Sequence, residues 1–312
     1  MPLITYRRAF WQTLSFAGVG MLVLGASACK SVTPPSETPV ASVPQGLISD
    51  IAIVPTAVDD ILNALATARV IYLGETHTDI ADHTAQLEVV QTLHERGGDV
   101  AIGLEMFQRP FQGVLDQYLM GEITESEMLV QTEYETRWGY PWEFYQPIVR
   151  YAKDHQIPLI ALNAPAEVTR KVAREGLASL TDEDLQHIPP LADIDTTDEA
   201  YKAFMADILG SHGGGHGGGP HSDFSLDNFF AAQVVWDETM AASIAEFAET
   251  NPDTQVIVLA GEGHIIYDFG IPSRVQRRLG EELIAHSVIL NPSAQVLVEG
   301  EGEIADFFWV SE

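Results

Sequence analysis

Short runs of β-branched and apolar residues recur along this chain. Longer stretches separate them, in which apolar positions return every three or four residues. The runs cover residues 69–73, 100–104, 158–162, 255–260, 287–290 and 295–298. They are apolar almost without interruption, the pattern of strands buried on both faces of a parallel sheet. Between them, Ile80, Leu87, Val90 and Leu93 mark one side of a helix over residues 80–95. Leu226, Phe229, Phe230, Val234, Met240, Ile244 and Phe247 mark another over residues 226–247. Strand–helix alternation predicts an α/β fold, with an open, mostly parallel sheet, flanking helices and right-handed crossovers. The intervals from 104 to 158 and from 162 to 255 are too long for single crossovers. Helical insertions are expected over residues 110–118, 126–132, 165–175 and 197–209. No repeat of fixed period is present.

Ligands of open α/β sheets bind beyond the carboxyl ends of the strands, so the residues that follow each run matter most. After the first run come Gly74-Glu75-Thr76-His77, then Asp79 and His83. After the second come Glu105-Met106-Phe107 and Arg109. Asn163 follows the third, and Gly261-Glu262-Gly263-His264 with Tyr267 follows the fourth. A glycine at a strand end lets the chain turn sharply. Two Gly-x-x-His tetrapeptides, with Glu105 at the matching end of the second run, therefore aim Glu75, His77, Glu105 and His264 at one cleft. These residue types suit a divalent metal, acid–base catalysis or the polar rim of a cofactor pocket, and the spacing does not separate the three. On the long helix, Trp236 and Met240 are expected in the core, and Gln233 and Asp237 at the cleft, holding a histidine in one tautomer. The aromatic segment 138–145, from Trp138 through Tyr140 and Trp142 to Tyr145, offers flat apolar surfaces. It suits a pocket lining or a packed corner between helices equally. His94, His155, His187 and His286 read as surface or packing residues. No Gly-x-Ser-x-Gly or His-Glu-x-x-His motif is present.

Composition sharpens the picture at the ends of the chain. Lys+Arg is 16 and Asp+Glu 45 in 312 residues, a net charge of −29. Nucleic-acid binding is excluded as a main function, because it needs basic residues to displace phosphate counterions. The one cysteine, Cys29, rules out an internal disulfide. It follows Arg7-Arg8, an apolar core over residues 16–24 and the small residues Ala26-Ser27-Ala28. That is the layout of a secretory signal, and the cysteine placed there resembles a bacterial lipobox. Residues 1–28 are expected to be a lipoprotein signal peptide, and residues 29–45 a lipidated cysteine with a proline-rich tether. Residues 46–312 would form the folded domain. The paired arginines also resemble a twin-arginine export signal. Lys30 after the cysteine favours the outer membrane. Residues 211–221 are glycine-rich, with Ser211, Pro220 and the histidines His212, His216 and His221. They are expected to form a mobile loop without regular structure, with those histidines able to take Zn²⁺, Ni²⁺ or haem.

The ordered set GETH, GLEMF, IALN, AAQVVWDETMA, AGEGH and IPSR resembles the ChaN-type haem-binding lipoproteins. Their superfamily also holds Tiki metalloproteases, TraB-like proteins and erythromycin esterases. The resemblance spans about residues 48–310. It implies ferric haem bound for haem or iron uptake at the bacterial envelope, delivery to a transport partner, and help from a homodimer interface. It also implies a tyrosine as iron ligand, with Tyr140, Tyr145, Tyr201 and Tyr267 as candidates. Arg109 and Arg274 are candidates for the haem propionates, and Asn163 and Asp237 for the pocket wall. The alternative is a hydrolase, with or without a divalent metal, in which Glu75 or Glu105 activates water beside His77 and His264.

Overall fold

In the computed structural model, residues 57–212, 225–293, 296 and 304–311 are described. Cys29, the signal, the tether, His216 and His221 lie outside them. Among the described residues six strands form one sheet in the order β3-β2-β4-β1-β5-β6, every pairing parallel. They are β1 (Val70–Glu75), β2 (Val100–Gln108), β3 (Leu159–Asn163), β4 (Gln255–Gly261), β5 (Ala285–Leu290) and β6 (Phe307–Trp309). The helices are α1 (Val58–Leu65), α2 (Ile80–Glu95), α3 (Gln112–Leu119), α4 (Glu125–Gln131), α5 (Tyr134–Arg137), α6 (Trp142–His155), α7 (Ala166–Glu175), α8 (Glu199–His212), α9 (Leu226–Thr250) and α10 (Ile271–Leu279).

The sheet is apolar on both faces because helices cover both. Alternate strand residues divide between two cores. Ile71, Leu73, Ile102, Leu104, Ile257 and Leu259 pack with Val89 and Val90 of α2 and Ile148 and Val149 of α6. Val70, Tyr72, Val256, Val258 and Ala260 face Met240 and Ile244 of α9 and Val275 of α10. A third core joins Val168 and Val172 of α7 to Tyr201 and Met205 of α8 and to Phe230 and Val234 of α9. β1 and β4 run in strict register, Val70 beside Val256 and Glu75 beside Gly261. All strands being parallel, their carboxyl ends share one edge, and both Gly-x-x-His motifs are on it.

Two expectations need correction. The sheet's last position is filled by the Phe-Phe-Trp run of β6, with Trp309 and Phe308 buried. Of residues 295–298, only Val296 is described, and it is helical. Ser211 and His212, expected in a loop without regular structure, are the last residues of α8. α6 was not foreseen. It carries Pro147 inside it and Pro141 at its N-cap. Pro147 lies in the second turn and removes one helical N–H bond, a loss offset by Tyr145, Ile148, Val149 and Ala152, which bury one face.

Candidate functional site

Two hydrogen-bonded networks meet at the strand ends. The first centres on Glu75, the last residue of β1, whose side chain is fully buried. One carboxylate oxygen receives Nδ1 of His77 at 2.8 Å and the Tyr145 hydroxyl at 2.5 Å. The other receives Nε2 of Gln86 at 2.6 Å, and His83 Nδ1 stands 3.6 Å away. The helix that brings Gln86 and His83 starts at Asp79, whose carboxylate caps Ala81 N at 2.8 Å. Asp82, in its first turn, takes the Thr76 amide at 2.7 Å and Asn291 Nδ2 at 2.9 Å, and so fixes the turn that carries His77. Burial pushes Asp82 up to about 7, against those two bonds.

The second network centres on His264. Its Nδ1 meets Asp237 at 2.6 Å and Gln233 at 3.1 Å, and its Nε2 faces Glu105 at 3.4 Å. The Tyr201 hydroxyl donates to the other Asp237 oxygen at 2.8 Å. Glu105 also accepts the Gly261 amide at 2.7 Å, and Asn163 Nδ2 donates to the Glu105 carbonyl at 3.0 Å. Burial disfavours a charge on Glu105, but His264, His77 and the Gly261 amide outweigh it and hold the carboxyl at about 2. Burial likewise disfavours imidazolium at position 264, but Glu105 and Asp237 lift His264 to about 10. His77 is also raised, because Glu75 and Glu105 outweigh its burial.

Gly261 is the hinge between the two networks. A Cβ there would lie 2.9 Å from both Cε1 and Nε2 of His77 and 3.7 Å from Glu105 Oε2. Only glycine leaves room for the His77 ring. Gly74 is constrained in the same way, since a Cβ would meet Ile289 at 2.8 Å and the Glu262 backbone at 3.3 Å. The open side of His77 is aromatic. Trp138 lies edge-on at 4.9 Å and Tyr140 tilted at 4.7 Å between ring centroids, both half-buried.

The structure therefore brings together Glu75, His77, Glu105, Tyr145, Asn163, Asp237 and His264. It places three other expected residues apart. Arg109 pairs with Glu246 at 2.6 Å on an exposed surface. Arg274 is buried: it donates to the Phe269 and Gly270 carbonyls and lies 3.2 Å from Glu238, which also binds Arg277 and Arg278. Tyr267 packs on Phe204 and Phe269 with a left-handed φ of 56°. Trp236 is half-buried and Met240 fully buried. Among the described residues, no three His, Cys, Asp or Glu side chains are arranged to hold a metal ion directly.

Sequence reasoning missed Gln86, and it placed His83 and Glu262 past the strand ends without giving them a role. Gln86 and His83 complete the shell of Glu75 from α2. Glu262 lies in the AGEGH motif, 9% exposed, and burial raises it to about 7 against the pull of His77. Its place between the motif's two glycines was a usable signal. Gln86 gave none, because only packing shows which way it points.

A parallel α/β sheet with paired histidine–carboxylate networks at its carboxyl edge is the class of protein that fold and site define. The family described as haem-binding uptake, Tiki superfamily, ChaN matches residues 61–275, and the chain belongs to it. The structure is similar to that of ChaN of Campylobacter jejuni, described for cofacial haem binding. Its TM-score is 0.62 at 20% identity, over 81% of this chain and 91% of that one. A mutant of the erythromycin esterase EreC, in its open conformation, aligns at a TM-score of 0.44 and 17% identity, over 74% of this chain and 72% of that one. Protein RETICULATA-RELATED 5, chloroplastic, of Arabidopsis thaliana is 29% identical over 268 residues. The chain spans 34% of the length of that curated relative, the alignment taking in 79% of this chain.

Proposed function

We propose that this chain binds ferric haem at the aromatic side of the strand-end cluster and serves haem or iron uptake at the bacterial envelope. Family membership supports haem as the ligand. The observation that carries the site is the state of its tyrosines. Tyr145 and Tyr201 are fully buried and spend their hydroxyls on Glu75 and Asp237. Tyr140 is half-buried, packs tilted against His77, and its hydroxyl has no hydrogen-bond partner among the described residues. Burial, with Glu105 and Glu75 nearby, raises Tyr140 to about 12, so the free chain holds this hydroxyl protonated. Bound there, haem would supply a ferric ion, for which a tyrosine oxygen is a suitable hard ligand. Tyr140, His77 and Trp138 would present ring faces to the porphyrin. Delivery to transport machinery and a dimer that shares the ligand belong to the same proposal. Titration with ferric haem, followed by visible absorption, tests it. Y140F should lose the tyrosinate-to-iron charge-transfer band and weaken binding at least tenfold, whereas Y145F should keep the band. A band that survives in Y140F overturns the assignment.

One observation favours a second reading. Each histidine gives its Nδ1 to a buried carboxylate, His77 to Glu75 and His264 to Asp237. That is the orientation found behind metal-binding histidines. His77, His264 and Glu105 would then hold a divalent ion, once Glu105 leaves His264, and activate water for hydrolysis. Titration with Co²⁺ checks this. Loss of the visible cobalt spectrum in H77A and H264A supports it, and a spectrum unchanged in both rejects it.

A further inference from the structure

His94 and His155 lie at the carboxyl ends of α2 and α6, far apart in sequence, yet their rings are 5.1 Å apart between centroids at an interplanar angle of 73°. One residue organises both. The Tyr151 hydroxyl bonds His94 Nδ1 at 2.9 Å, and the Tyr151 carbonyl accepts from His155 Nδ1 at 3.0 Å. The Tyr151 ring lies tilted over His155, 4.1 Å between centroids at an interplanar angle of 34°. The bond to the carbonyl fixes the His155 tautomer: the proton is on Nδ1, and the Nε2 lone pair is free. His94 likewise uses Nδ1 on Tyr151 and has no hydrogen bond at Nε2 among the described residues. His155 is exposed and His94 half-buried, so the pair is open to solvent.

We propose that His94 and His155 form a binding site for a divalent transition-metal cation, separate from the strand-end cluster. Imidazole nitrogen suits Zn²⁺, Ni²⁺ and Cu²⁺. Two imidazoles sharing one tetrahedral ion, with metal–nitrogen bonds of about 2 Å, set their ring centroids roughly 5 Å apart. Here that spacing exists without the ion. Tyr151 takes the supporting role that a carbonyl or carboxylate plays behind metal-bound histidines. Water completes the coordination, so binding falls in the micromolar range rather than that of a closed structural site.

The position of the pair gives it a consequence. α2 begins with Asp82, His83 and Gln86, which position His77 and Glu75, and α6 begins near Tyr145, which also bonds Glu75. Both helices run away from the site, and the histidines lie about 15 Å along them at 1.5 Å per residue. An ion there ties together the far ends of the two helices that hold Glu75.

Titrating the full chain with NiCl₂ by calorimetry tests this. The glycine-rich histidines and the strand-end cluster can bind the same ion, so the comparison is between variants. H94A and H155A should each show one equivalent fewer of micromolar Ni²⁺ than the wild type, and H187A should not. Ni²⁺ should raise the wild-type Tm more than that of either variant. H155N, altered only on the exposed ring, guards against a packing defect in H94A. A stoichiometry and affinity unchanged in H155A and H155N overturn the proposal.

Discussion

A single methyl group at position 261 measures how tightly the site is assembled. In Gly261→Ala the new carbon would lie 2.9 Å from the His77 ring. Either His77 swings away from Glu75 and Tyr140 or the end of β4 moves, and overpacking of this kind costs about 1–3 kcal/mol. Urea denaturation should show that loss, and haem titration a matching loss of affinity. Wild-type stability together with wild-type binding would mean that His77 is not held as described. At this scale the strand-end residues were legible because position does the aiming: a residue just past a buried strand faces the ligand edge whatever its neighbours are. Arg109 follows a strand end too and Arg274 lies in α10, but their directions depend on Glu246 and Glu238. Both partners are on α9, and nothing in local sequence ties them to those arginines.

The helices show what patterning reads and what it does not. α2 begins at the residue the periodicity marks, because Asp79 is an N-cap directly before the apolar repeat. Asp79→Ala should cost about 1 kcal/mol of stability by the loss of that cap. The haem spectrum should keep its shape, since Asp82 still binds the Thr76 amide; thermal unfolding and absorption together check both parts. A changed spectrum would show that the cap also positions the site. α6 was hidden for a physical reason. Its Trp-Gly-Tyr-Pro start and internal Pro147 carry the local chemistry of a turn, while its helical state rests on burying Tyr145, Ile148 and Val149 against the sheet and α2. β6 has three residues, too few for any alternation to register.

For the whole molecule, charge is the dominant fact. With a net −29, long-range forces repel an anionic ligand, and the two arginines expected at its propionates pair with carboxylates of α9 instead. Attraction must come from short-range ring contacts and a coordinating oxygen. The same charge would keep the domain off an anionic membrane surface, and we propose that a lipid on Cys29 would supply the attachment. Among the described residues no helix is long and apolar enough to cross a membrane. In Cys29→Ala, palmitate labelling should vanish and the protein should leave the membrane fraction. Labelling that persists would place the lipid elsewhere and refute Cys29 as its attachment point.

The strict register of β1 with β4 has one more consequence. Glu75 and Gly261 are neighbours only because each ends its strand at the same level of the ladder. Insert or delete one residue within β4, and every later side chain reverses face. His264 would then turn away from Glu105, although no residue of the site had been substituted. The two strands therefore cannot change length independently. In grafting this site onto another sheet, strand length is the quantity to copy first.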